Sequence, residues 1–346
     1  MKQSIERAGW ERFTKIFFKI TARVKSIVKV REIGILFGFL GLFLIFALIS
    51  PDKFFTLTNQ LNIIRQISYV GIMAIGMTLV IVAGEFDLSV GSIYGMAVMI
   101  CALLIRSGVS VLLSVCIALC SGLVIGLING LLVTFVRIPS FIVTLGMLSL
   151  IRGFNLAITG GYSVTILPVY TKLLGVLRWV GAGKLFGVPV PGIIFIIISI
   201  IGGIVFYKTM LGFNIKAVGG SSTTAKVSGI NVKGIKILTF TINGFLAAFA
   251  GLLSLFLLNT AQGTLGRGLE LQVIGATIIG GTSLLGGSGT ILGTVIGVMI
   301  IGILRNGMVL VGISPYWQLV TMGFVIITAV AVDMWTGSKQ VDSQSY

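Results

Sequence analysis

Histidine is absent from all 346 residues. With it go imidazole acid–base catalysis, imidazole metal ligands and histidine proton relays. Only nine residues are acidic, and no carboxylate pair lies inside the long apolar runs, which argues against a membrane-embedded enzyme. Neither the acids nor the amides trace a proton or cation pathway, which argues against an ion-coupled carrier. There is no GxxxxGK[ST] phosphate loop, so the chain does not hydrolyse ATP by that route. The three cysteines, Cys101, Cys116 and Cys120, all sit in apolar runs; they read as small buried hydrophobes, not as a disulfide framework or metal site. Charge is the scarcest commodity of all. Charged residues make up 10% of the chain, against about 25% in a soluble domain.

What is present is apolar: 56% of the residues are hydrophobic. A chain so poor in charge cannot coat itself for water, and several runs approach the ~20 residues that cross a bilayer as helix. The runs do not alternate polar and apolar residues, so a transmembrane barrel is disfavoured. The expected class is an all-α polytopic membrane protein.

The net charge of +16 does not imply nucleic acid, because its distribution follows membrane topology. Residues 1–32 hold nine Lys/Arg and 208–236 hold five, and basic clusters mark the cytoplasmic side. In the leader, Trp10, Phe13, Phe17, Ile20, Val24 and Ile27 recur at helical spacing among basic residues, the pattern of an interfacial amphipathic helix. No A-x-A site follows a short apolar core, so no cleavable signal is expected.

About ten spans fit, near 33–49, 61–83, 89–105, 110–136, 140–159, 190–207, 237–258, 271–285, 290–311 and 317–335. This gives a leader (1–32), a transmembrane domain (33–336) and a tail (337–346), with both termini cytoplasmic. With Arg137, Arg305 and Lys339 counted inside, 17 basic residues lie inside and 8 outside. The outer connection 160–189 is expected to be a folded loop or interfacial helix. The segment 208–236 is the one sizeable inner loop.

Two stretches match beyond shared apolarity: IGLINGLLVTFVRIPSFIVTLG (125–146) and IGILRNGMVLVGISPYWQLVTMG (301–323). Asn129-Gly130 answers Asn306-Gly307, Pro139 answers Pro315, and Val143-Thr144 answers Val320-Thr321, at offsets of 176–177. The copies lie five crossings apart and so point in opposite directions. An inverted repeat of spans 2–5 and 7–10 is expected, with the substrate path between the halves.

Why, then, do Glu85 and Asp87 sit between apolar runs in GEFDLSVGS (84–92)? The chain turns there, between spans 2 and 3. Asp87 precedes Leu88-Ser89-Val90 and can cap span 3; alternatively Glu85 and Asp87 line a route or meet a partner. The offset carries this motif to Gln262-Gly263-Thr264, in the loop holding Glu270. Asn129, Asn155, Asn243 and Asn306 read either as interhelical hydrogen-bonding groups or as a polar lining suited to sugar hydroxyls. The glycine-rich GGTSLLGGSG (280–289) reads as a tight turn or a mobile gate.

From Phe54 onward the chain closely resembles the membrane permeases of ribose-type ABC sugar importers, the carbohydrate-uptake branch of the branched-chain permease superfamily. The resemblance rests on FFTLTN (54–59), GIMAIGMTLVI (71–81), FDLSVGS (86–92), PSFIVTLG (139–146), IRG (151–153), AVGG…VSGINVKGIKI (217–237), GGTSLLGGSGTILGTVIG (280–297) and NGMVLVGISPYWQ (306–318). It implies a multi-pass subunit of the bacterial inner membrane that imports a monosaccharide. The implied partners are a second permease subunit, a cytoplasmic ATPase that holds ATP and Mg, and a periplasmic sugar-binding protein. No cofactor is implied on this chain. It also implies that Gly219, Gly220, Ser222, Thr223, Thr224, Ser228, Gly229, Ile230 and Asn231 form the segment that docks on the ATPase. Here Ser222-Thr223-Thr224 replaces the family's Glu-Ala-Ala type, so an acidic contact is missing. Likewise Glu85-Phe86-Asp87 departs from the commoner GIDLSVGS. Autoinducer 2, a polyol or a nucleoside remain alternative cargoes, and a stand-alone secondary carrier an alternative class.

Overall fold

The computed structural model describes residues 30–166 and 172–342, most of them helical. The expected leader helix lies outside the described residues. The helices are α1 (Val30–Ile49), α2 (Pro51–Phe54), α3 (Leu57–Val82), α4 (Val90–Arg106), α5 (Val111–Leu131, continued by a π-helical turn Leu132–Val136), α6 (Ser140–Thr159), α7 (Lys172–Ala182), α8 (Val190–Lys208), α9 (Met210–Gly220), α10 (Ser222–Val227), α11 (Val232–Leu258), α12 (Leu269–Ile279), α13 (Ile291–Leu310) and α14 (Pro315–Asp342). Four two-residue strands pair as β1 (Val164–Thr165) with β4 (Thr260–Ala261) and β2 (Lys184–Leu185) with β3 (Val188–Pro189). Among the described residues six helices are long and apolar enough to cross a membrane: α3, α5 with its π turn, α6, α8, α11 and α13.

Two of the expected spans are short. Helix α12 has 11 residues and rises about 16 Å, half the ~30 Å of a hydrocarbon core. It stops at Ile279, where Gly280 and the left-handed Gly281 turn the chain, so the span expected to reach 285 is corrected. Helix α4 has 17 residues and is preceded by an extended segment that enters the bundle. Its start is fixed by α11: Glu85 pairs with Lys236, the fifth residue of α11, and Asp87 with Asn243, the twelfth. Twelve residues of helix rise about 18 Å, so the GEFDLSVGS segment runs in along α11 and is not a simple turn at its end. Gly91 at the start of α4 packs against Gly266 and Glu270 at the start of α12. The N-termini of the two short helices therefore abut in the interior.

The internal repeat is visible in the packing. Helix α5 runs antiparallel along α11, with Gly122 against Gly244, Gly126 against Phe240 and Gly130 against Ile237. Helix α13 runs the same way along α3, through Thr294 on Thr78, Gly302 on Ile67 and Asn306 on Asn59. At the repeat offset α5 corresponds to α13 and α11 to α3, so each half lends its first long helix to the other. Glycine makes this possible: without Cβ atoms the backbones come close enough for dispersion to hold helices that no hydrophobic effect drives together in lipid. The two first helices cross at Gly76, which packs against Asn243.

Three other expectations change. Cys101 is buried, but Cys116 and Cys120 are exposed on α5, where a small apolar thiol tolerates an outward face as well as a core. Arg305 is the fifteenth residue of α13, inside the helix and not at its inner end. The inner segment 208–236 carries two short helices, α9 and α10, and α11 begins at Val232, five residues earlier than expected. As expected, 160–189 carries a helix, α7, with a small β2–β3 hairpin after it.

Candidate functional site

Asp87 is fully buried. Its Oδ1 accepts the Ser89 backbone N–H at 2.9 Å and the Ser89 hydroxyl at 2.5 Å, while Oδ2 accepts the Asn243 Nδ2–H at 2.9 Å. Asn129 Nδ2 in turn donates to Ser89 Oγ at 2.9 Å. The expected capping role is thus modified. Ser89, not Asp87, is the N-cap of α4, and Asp87 secures it from two residues upstream. The carboxylate still lies beside the positive end of the helix; it bonds α11 directly through Asn243 and reaches α5 through Ser89, which accepts from Asn129, so the network ties three helices to one point. A buried charge persists only when its oxygens are filled in this way.

Glu85 lies on the same segment, nearer the basic end, and makes an ion pair with Lys236 at 2.5 Å. Glu270 occupies the first turn of α12. Its Oε1 accepts the Gly268 N–H at 3.2 Å and stands 3.7 Å from Arg152 of α6, whereas Oε2 is buried without a hydrogen bond. Asn155, one turn further along α6, is buried with an unpartnered Oδ1. Asn306 and Asn59 bond each other reciprocally, at 2.8 and 3.2 Å. Gln262 is exposed beyond β4.

The eight polar candidates therefore do not form one lining. Asp87, Asn129 and Asn243 meet in a single network; Glu270 and Asn155 lie beside the abutting helix starts; Glu85, Gln262 and Asn306 stand apart from both. Sequence reasoning did not single out the partners Lys236, Ser89, Asn59 and Arg152. Ser89 and Arg152 lay inside quoted motifs, FDLSVGS and IRG, and Lys236 in the basic cluster; Asn59 closed the FFTLTN motif.

The second assembly gathers where α3 ends. Gly219 of α9 packs so tightly on the Val82 carbonyl that a Cβ there would collide with it. The same carbonyl accepts the Gly287 N–H at 2.9 Å. Gly84, Gly219, Gly220, Gly286 and Gly287 thus bring three chain segments together backbone to backbone. Beyond this junction α10 is capped at its start by the Ser221 hydroxyl, which accepts the Thr224 N–H. It is closed off by Gly229 at φ 82°, a left-handed position that suits glycine. Asn231 then caps α11 through the Gly234 N–H. Ser222, Thr223, Thr224, Ser228 and Gly229 are exposed and Ile230 is half-buried. Val227 projects with 86% of its surface free. The GGTSLLGGSG segment forms the facing side of the junction.

Comparison with known proteins follows the same lines. Residues 59–330 match the family described as the permease component of the branched-chain amino acid transport system. The ribose import permease protein RbsC of Escherichia coli (strain K12) is 41% identical over 298 residues, 86% of this chain and 92% of that protein. The D-allose transport system permease protein AlsC of the same strain is 36% identical, covering 84% and 87% of the two chains. The autoinducer 2 import system permease protein LsrC of Photorhabdus luminescens is 32% identical, covering 90% and 92%. No solved structure matches the chain significantly. On the extent of these matches and the polytopic helical fold they accompany, the chain belongs to the family of branched-chain amino acid transport system permease components, membrane subunits that transport and do not catalyse.

Proposed function

We propose that this chain is the permease subunit of an ATP-driven importer for a ribose-like monosaccharide in a bacterial inner membrane, with both termini in the cytoplasm. The observation that carries the reading is the 41% identity to a ribose import permease along 92% of that protein's length. A second copy or a sister permease completes the membrane unit. A periplasmic sugar-binding protein delivers the cargo, and a cytoplasmic ATPase holds ATP and Mg.

The exposed face of α10, with Val227 at its tip, suits a groove on that ATPase. Movement of α9 and α10 passes through Gly219 to Val82 and Gly287 without any side chain in between, so little of it is lost to rotamer changes. From Val82 the chain leads directly to the GEFDLSVGS segment that Asp87 holds. Closure of the ATPase pair would then rock the permease between outward and inward states. The 32% identity to an autoinducer 2 import permease keeps that furanone as the second cargo to test.

Cells carrying the binding protein and the ATPase, with and without this chain, distinguish the readings. Labelled ribose should accumulate only with the chain present. Accumulation of autoinducer 2 but not ribose selects the second cargo, and neither refutes both.

A further inference from the structure

One mostly apolar recess between the spans gathers three polar side chains. Gln66 of α3, Gln272 of α12 and Arg305 of α13 converge on a space of about 20 Å³, completed by Ile67, Val70 and Ile301. That is room for one water or one hydroxyl group. Arg305 Nη1 donates to Gln272 Oε1 at 3.3 Å. Gln66 and Arg305 are exposed and Gln272 is half-buried. Among the described residues no carboxylate pairs with Arg305. The cluster lies well inside the helices: Gln66 is the tenth residue of 26 in α3 and Arg305 the fifteenth of 20 in α13. A guanidinium held against hydrocarbon is costly, and such groups mark water-filled routes.

The internal repeat shows that the fold does not need this polarity. At the offset of 177, Arg305 corresponds to Ile128 and Gln66 to Asn243, and at the offset of 179 between the helix starts Gln272 corresponds to Ile93. In the first half, then, the matching junction is two isoleucines and an amide already engaged by Asp87. At the second junction two amides and a guanidinium stand at the mouth of an apolar recess.

We propose that Gln66, Gln272 and Arg305 form a hydroxyl-binding recess on the transport route, contacting the sugar as it passes. The carboxamides donate and accept and the guanidinium donates in a fork, which matches neighbouring hydroxyls of an uncharged sugar. The space admits one hydroxyl and leaves the ring outside, as suits a passing contact. This inference rests on the proposed importer function for the identity of its ligand.

The test uses the full transporter, with its ATPase and binding protein, in proteoliposomes. Gln272→Cys, made with Cys116→Ala and Cys120→Ala, should react with a charged, membrane-impermeant methanethiosulfonate, and saturating ribose should slow the reaction. Arg305→Leu should lower ribose uptake at saturating sugar about tenfold, the loss of one charge-assisted hydrogen bond, while co-purification of the ATPase is unchanged. Arg305→Lys should recover part of the loss. Should the leucine variant not assemble, Gln66→Leu carries the same expectation. An unreactive Gln272→Cys would mean a lipid-facing recess, and unchanged uptake would mean no contact; either overturns the proposal. If the unaltered transporter moves no ribose, the importer reading fails instead, and slowing by other sugars tests the recess on its own.

Discussion

Removing the Asp87 carboxylate isolates what it does for the fold. In Asp87→Ala, the Ser89 N–H and the Asn243 Nδ2–H lose their acceptor inside a site with no exposed surface. Stranding a buried donor costs about 1–3 kcal/mol, so two of them cost about 4 kcal/mol; the Ser89 hydroxyl can rotate to another partner. Asp87→Asn behaves differently. Its carbonyl oxygen keeps both Ser89 contacts, and its new amide would face the Asn243 amide, donor against donor. Asn243 Oδ1, however, is buried and unpartnered, so turning the Asn243 side chain over restores the bond. The expected loss is within about 1 kcal/mol. Denaturant unfolding of the purified protein in detergent, read as midpoint shifts, measures both. Adding Asn243→Ala to Asp87→Ala should cost less than it does alone, with a coupling of about 2 kcal/mol. The reasoning is refuted if Asp87→Ala is neutral, or if Asp87→Asn is as damaging as Asp87→Ala, since the charge and not the acceptor geometry would then matter.

Gly219→Ala should destabilise by about 2 kcal/mol, because a Cβ there meets the Val82 carbonyl and both backbones must shift. Gly220→Ala, whose Cβ would find only the Gly287 Cα at 4.0 Å, should be nearly neutral in the same unfolding assay. Asn306→Ala should lose about 2 kcal/mol by stranding Asn59 Oδ1, whose amide keeps the Phe54 carbonyl, and Asn59→Ala in that background should add less than it costs alone. Lys236→Met leaves Glu85 without its cation, so Glu85→Gln should rescue it; thermal unfolding of the three variants shows whether the double is the more stable.

Much of the architecture was legible because a bilayer leaves few options: long apolar runs must be helices, so the six long spans fell close to their expected limits. The repeat was legible because Asn129 and Asn306, with their prolines, stand out from apolar surroundings. The short helices were not. Nothing in the composition of LELQVIGATII shows that the preceding 259–268 enters the bundle, since that depends on Gly91 admitting Gly266 and Glu270 from a distant part of the chain. All four candidate asparagines were read as either interhelical hydrogen-bonding or lining groups, and Asn129, Asn243 and Asn306 prove to be bonded inside the protein. The recess at Gln66, Gln272 and Arg305 escaped notice because its members lie on three helices at no recognisable spacing.

Everything rests on a permease that does no work of its own and is driven from the face carrying α9 and α10. Sugar uptake into proteoliposomes holding this chain and the binding protein, with the ATPase present, absent or unable to hydrolyse ATP, measures that directly. Uptake should occur with the active ATPase and ATP alone; accumulation against a gradient in its absence would contradict the account.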